Sequence, residues 1–239
     1  MNSFSKTDIG VKRTMNQDSM FASDKPVGSF QNLFIVADGM GGHKAGDYAS
    51  RLCIESMVSR IQTSDSKTPV TLFEEAITYA NRTVFEAALE KKEYEGMGTT
   101  MVACTLQGDT LYVANIGDSR LYLLREQLQQ ITTDHSLVEE MVKIGNITER
   151  EARVHPQKNI ITRALGIDDE VQADYFELQV QQGDIILLCS DGLTNMVEDD
   201  EIEYIIRHKD TLEEAGNALI ASANANGGSD NITAVLVQI

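Results

Sequence analysis

Gly98-Thr99-Thr100-Met101-Val102-Ala103-Cys104-Thr105-Leu106-Gln107-Gly108-Asp109-Thr110-Leu111-Tyr112-Val113-Ala114-Asn115-Ile116 is the stretch that decides the fold class. From Gly98 to Thr133 the pattern repeats every two residues, as side chains do along a strand. Thr99–Leu106 and Leu111–Ile116 read as strands, with Gly108-Asp109 between them as a tight antiparallel hairpin turn. Leu121–Leu124 and Leu128–Ile131 extend the meander. Strands that follow one another without crossover helices predict antiparallel sheet.

Upstream, Leu33–Ala37 is a short apolar run that fits a buried strand. Apolar residues at three- and four-residue spacings predict an amphipathic helix over Ala45–Ile61. A second helix begins at Pro69, whose missing N–H costs little in a first turn, and carries Leu72, Phe73, Ala76, Ile77, Ala80, Val84 and Ala88 on one face. Downstream, Ser136–Ile144 reads as helix, Thr148-Glu149-Arg150-Glu151 has a capping-box pattern, and residues 153–170 have no clean period and read as a loop-rich flap. Strands Tyr175–Leu178 and Ile185–Cys189, helices Asp199–His208 and Leu212–Asn224, and a last strand Ile232–Val237 follow. The expectation is an α+β chain, antiparallel sheets with helices packed outside, in one domain over 1–239.

Composition narrows the function. The 239 residues carry 37 acidic and 20 basic side chains, a net charge of −17, which argues against nucleic-acid and anionic-membrane surfaces. No apolar run exceeds about half a dozen residues, against the roughly 20 of a membrane span. Cys53, Cys104 and Cys189 are odd in number and sit in apolar contexts, so they read as core residues rather than as disulfides, zinc ligands or nucleophiles. With no apolar leader at the start, a cytoplasmic protein is expected.

The chemistry lies in what ends the strands. Phe34–Ala37 runs into Asp38-Gly39, Val113–Ile116 into Gly117-Asp118-Ser119-Arg120, and Leu187–Ser190 into Asp191-Gly192; Ser229-Asp230-Asn231 stands just before the last strand. One Asp-Gly after a strand is ordinarily a turn. Four acids at strand ends gather in one region, where repulsion and burial make a multivalent cation the cheapest resolution. Oxygen donors without His or Cys select hard ions, Mg²⁺ or Mn²⁺. The loop Asp38-Gly39-Met40-Gly41-Gly42-His43-Lys44 fits neither the phosphate-cradling loop nor the dinucleotide fingerprint. Arg13-Thr14-Met15-Asn16-Gln17-Asp18 reads either as a polar turn or as a guanidinium that forks a phosphate beside a carboxylate that holds water.

These segments, with Gly98-Thr99-Thr100 and Asp134-His135, occur in an order that resembles the metal-dependent Ser/Thr protein phosphatases of type 2C, especially compact bacterial members. The resemblance runs from Arg13 to Asn231 and implies a four-layer αββα sandwich, two antiparallel sheets flanked by helix pairs, with a flap around 145–166. Carried over by position, it makes Asp38 a ligand bridging two Mn²⁺ or Mg²⁺ ions. The Gly39 carbonyl would bind one of these, and Asp191 and Asp230 the other. Asp118 with Asp191 would hold a third ion, Asp18 would orient water, and Arg13 would grip the phosphate.

The implied reaction is hydrolysis of phosphoserine and phosphothreonine by direct attack of a metal-bridging water. Some relatives place a general-acid His where this chain has Met40, so water or His43 is left to protonate the leaving oxygen. Arg150, Arg153, Lys158 and Arg163 give the flap a basic stretch suited to a phosphopeptide or to plain solvation. The expected partners are phosphorylated proteins, including a cognate Ser/Thr kinase, and the expected state is a monomer. A phosphatase dedicated to one small regulatory protein and a catalytically inactive binding scaffold of the same fold are the rival readings; the second predicts loss of the carboxylates, and all five are present.

Overall fold

In chain order, the computed structural model, which describes residues 1–42 and 45–239, contains β1 (Asn2–Asp8), β2 (Asp18–Ser23), β3 (Leu33–Met40), α1 (Ala45–Thr63) and α2 (Pro69–Glu90). Then come β4 (Gly98–Thr99), β5 (Met101–Gln107), β6 (Thr110–Ile116), β7 (Arg120–Leu124), β8 (Leu128–Gln130), α3 (Leu137–Lys143) and α4 (Glu149–Arg153). The chain ends with β9 (Asp174–Gln179), β10 (Ile185–Cys189), α5 (Asp191–Thr194), α6 (Asp199–Arg207), α7 (Leu212–Ala225) and β11 (Ile232–Gln238).

The β5–β6 hairpin forms as read. Gln107 pairs with Thr110, and Gly108 takes the left-handed φ of 61° that closes a two-residue turn. One sheet has the order β1-β11-β10-β7-β8, the other β2-β3-β5-β6-β9 with β4 beside β3, and every pairing among the described strands is antiparallel.

Alternation along the strands divides the core into three slabs. Phe34, Val36, Val102 and Val113 turn inward and meet Leu121, Ile186, Leu188 and Val235 of the facing sheet. Leu33, Ile35, Ala37, Met101 and Ala103 turn outward against Ala49, Cys53, Met57, Phe73 and Ala76 of α1 and α2. On the other side Tyr122, Leu187, Cys189 and Leu236 pack against Ile202 of α6 and Ala215 and Leu219 of α7. Helices, sheet, sheet and helices therefore form four layers. A strand buried on both faces reads as a continuous apolar run, which is why Leu33–Ala37 and Ile185–Cys189 stand out in the sequence.

The N-terminal strands β1 and β2 do not stand out, because each lies at a sheet edge and is mostly half-buried. The capping box is present: Thr148 Oγ1 accepts from Glu151 N–H, and Glu151 Oε2 accepts from Thr148 N–H. Residues 154–173 contain neither helix nor strand apart from isolated bridges, as the missing period indicated. No helix among the described residues is long and apolar enough to cross a membrane.

Candidate metal centre and active site

The end of β3, the start of β2, the β6–β7 turn, the end of β10 and the start of β11 come together at one end of the sandwich. Asp18 and Asp38 are direct cross-strand partners on β2 and β3, where like charges oppose one another. Asp18 is 6% exposed. Its Oδ2 accepts from Ser190 Oγ, just past β10, at 2.7 Å and from Thr233 Oγ1 of β11 at 2.6 Å, whereas its Oδ1 is buried with no protein donor. Burial outweighs those two hydrogen bonds and pushes its carboxyl up to about 7. Burial also raises Asp38 well above the usual range, helped by the charges of Asp18, Asp191, Asp118 and Asp230.

Asp191 opens α5, with Ser190 between it and the end of β10. Its Oδ2 accepts from Asn195 Nδ2 at 2.8 Å, and its Oδ1 is a second buried oxygen without a donor. Burial and the neighbouring Asp230 push it up to about 6. Gly192 lets this segment approach β11: a Cβ there would lie 1.9 Å from the Asn231 carbonyl oxygen. Asp230 Oδ2 accepts from Arg13 Nη2 at 2.7 Å, and the Arg13 side chain remains 47% exposed. Asn231 fixes the loop that carries Arg13, accepting from Gln17 N–H and donating to the Ile9 and Met15 carbonyls.

Asp118 sits in the β6–β7 turn, raised well above the usual carboxylate range by burial and by Asp191 and Asp134. His135 braces this turn: its Nδ1 accepts from Gly117 N–H at 3.1 Å, and its backbone N–H donates to the Gly117 carbonyl at 2.9 Å. That leaves Nε2 to carry the proton toward Asp174 Oδ2, 3.1 Å away. His135 thus braces the Asp118 turn, and Ser136 caps α3. Beside Asp118 and Asp191 a cleft of about 420 Å³ opens under α3 and α4, lined also by Arg120, Asp134, Arg153 and Lys158.

Five of the named carboxylates therefore meet, and Gly39 lies with them. Gly39 N–H donates to the Gln17 carbonyl, and a Cβ at Gly39 would fall 2.0 Å from the Gly46 carbonyl oxygen. His43 lies outside the described residues. The flap cations are less free than the sequence reading allowed. Arg153 donates to the Thr194 carbonyl and pairs with Glu198, Lys158 donates to Asn195, and Arg163 pairs with Asp174, while Arg150 is exposed. Ser190, Thr233, Asn195, Asn231 and Thr100 are the site residues whose role no motif disclosed. Ser190, Asn231 and Thr100 stand within the quoted motifs without a role read for them, and Asn195 and Thr233 stand outside those motifs.

The donor set fits hard cations. Every candidate ligand is an oxygen, and two buried carboxylate oxygens lack a donor. No three His, Cys, Asp or Glu side chains among the described residues already form a closed cage, so the carboxylates would draw in around the ions, with carbonyl and water completing the shells.

Residues 11–236 match the family model described as Protein phosphatase 2C. The chain belongs to the protein phosphatase 2C family. This phosphatase is 41% identical to the serine/threonine phosphatase stp of Listeria monocytogenes, over 98% of this chain and 94% of that one. The Streptococcus agalactiae serine/threonine phosphatase superposes with a TM-score of 0.92 at 37% identity, covering 100% of this chain and 99% of that one. The catalytic domain of the phosphatase PstP, solved in complex with two manganese ions, gives 0.88 at 34% identity, covering 99% and 97%. The expected fold and the enzyme class, a protein serine/threonine phosphatase, are borne out.

Proposed function

We propose that this phosphatase hydrolyses phosphoserine and phosphothreonine in intracellular proteins by direct transfer of the phosphoryl group to water, opposing a Ser/Thr kinase. The carrying observation is the meeting of Asp18, Asp38, Asp118, Asp191 and Asp230 with two buried oxygens left unpartnered. Asp38, the Gly39 carbonyl, Asp191 and Asp230 would hold two Mn²⁺ or Mg²⁺ ions, and Asp118 with Asp191 a third. The two manganese ions in the PstP relative support the first pair. When bound, such ions acidify water and neutralise the charge that develops on the phosphate.

The chain's own groups do the rest. Ser190 and Thr233 occupy Asp18 Oδ2, so its Oδ1 is free to accept a hydrogen bond from water and orient that molecule. Arg13, exposed and paired with Asp230, forks two phosphate oxygens. Water or His43 protonates the leaving oxygen. No covalent intermediate on sulfur is available: burial pushes the Cys53 thiol up to about 12 and raises Cys104 and Cys189 further. The segment 145–166 is read as a flap beside the cleft, and a monomer acting on phosphoproteins in the cytoplasm completes the reading.

The test is a phosphothreonine peptide assay on metal-stripped protein. Activity returns with Mn²⁺ and is lost again with chelator; full turnover in excess chelator contradicts the reading.

A further inference from the structure

Thr100 touches both ends of the carboxylate cluster. Its Oγ1 accepts from Asp38 N–H at 3.0 Å and lies 2.8 Å from Ser119 Oγ, while its N–H donates to the Asp38 carbonyl at 2.8 Å. The same Asp38 carbonyl accepts from Thr99 Oγ1 at 2.9 Å. On its other side Thr100 fills the space over Gly117, where a Cβ would lie 2.6 Å from Thr100 Cβ and Cγ2. Gly117 and Ser119 flank Asp118, so one threonine contacts both neighbours of Asp118 and both backbone polar groups of Asp38. Thr100 is 3% exposed and Ser119 is 0% exposed, so neither hydroxyl has bulk water as a substitute partner.

We propose that Thr100 is a positioning residue whose hydroxyl sets the Asp118 turn against the end of β3, so that the two carboxylates meet cations in one fixed arrangement. The proposal deepens the metal reading above and rests on it. A methyl in place of the hydroxyl keeps the volume but leaves Asp38 N–H and Ser119 Oγ without this partner. Removing the hydrogen-bond partner of a metal ligand typically costs 10–100-fold in metal affinity.

The experiment is calorimetric titration of the metal-stripped full chain with Mn²⁺, for wild type, Thr100→Val, Thr100→Ser, Ser119→Ala and Asp38→Asn, with melting curves of each metal-free protein. Thr100→Val is expected to bind Mn²⁺ roughly 10–100-fold more weakly. Thr100→Ser should stay near wild type, and Ser119→Ala should weaken binding to a smaller degree. The kcat for p-nitrophenyl phosphate should fall in Thr100→Val with KM little changed. A lower melting temperature in Thr100→Val with wild-type Mn²⁺ affinity would reduce Thr100 to a structural residue and overturn the proposal. If Thr100→Val has no cooperative melt, wild-type affinity in Ser119→Ala overturns it instead. A wild-type chain that takes up no Mn²⁺, or an Asp38→Asn variant that binds like wild type, would overturn the metal reading itself and the proposal with it.

Discussion

Asp38 concentrates the electrostatic cost of the site: its carboxyl is buried, and four neighbouring carboxylates press on it. Such a residue is expensive to keep unless its charge is used. Asp38→Asn keeps the shape and removes the charge, so the fold should survive while kcat falls roughly a thousandfold, the scale of several kcal/mol of lost transition-state stabilisation. Wild-type kcat with Mn²⁺ in this variant would refute its role. Arg13 is the opposite case, an exposed cation at the rim. At saturating Mn²⁺, Arg13→Ala should lower kcat/KM for a phosphothreonine peptide roughly 10–100-fold, the worth of charge-assisted bonds. Steady-state kinetics beside a metal titration separates the two effects.

Among the elements, the contact of α5 with the start of β11 matters most, because it brings Asp191 beside Asp230. Gly192→Ala places a Cβ 1.9 Å from the Asn231 carbonyl oxygen, which gives way only by moving backbone. The expected result is about 1–3 kcal/mol of lost stability in urea unfolding of the metal-free chain, together with weaker Mn²⁺ binding. Element positions were legible where pattern and burial agree: strands buried on both faces, and helices α1 and α2 with one apolar face. Edge strands β1 and β2 were not, since half-burial leaves no continuous apolar run. In the site, Asp38, Asp118, Asp191 and Asp230 were legible because each closely follows or precedes an apolar strand run in the sequence. Their partners were not. Ser190 and Thr233 meet Asp18 from 172 and 215 residues away, and no local spacing encodes such a pairing.

At the scale of the whole molecule, a net charge of −17 surrounds an acidic site built for an anionic substrate, so cations and Arg13 must offset the local field. The same charges set a pH dependence. In the folded chain Asp18 holds its proton up to about pH 7 and Asp191 up to about pH 6, against a usual 3.8. Across that window the folded state binds more protons than the unfolded one, so stability of the metal-free chain falls as pH rises from 3.8 towards 7. Mn²⁺ replaces those protons and should therefore raise the melting temperature more at about pH 7.5 than at about pH 5. Thermal melts with and without Mn²⁺ at both pH values check the sign; an equal increment at the two would contradict it.

The central claim is that acids distant in the chain meet to hold divalent cations. Diffraction from crystals grown with Mn²⁺, collected at the manganese absorption edge, tests it most directly. The account predicts anomalous peaks in contact with Asp38 and shared with Asp191 and Asp230. A map with no manganese peak at these carboxylates would contradict it.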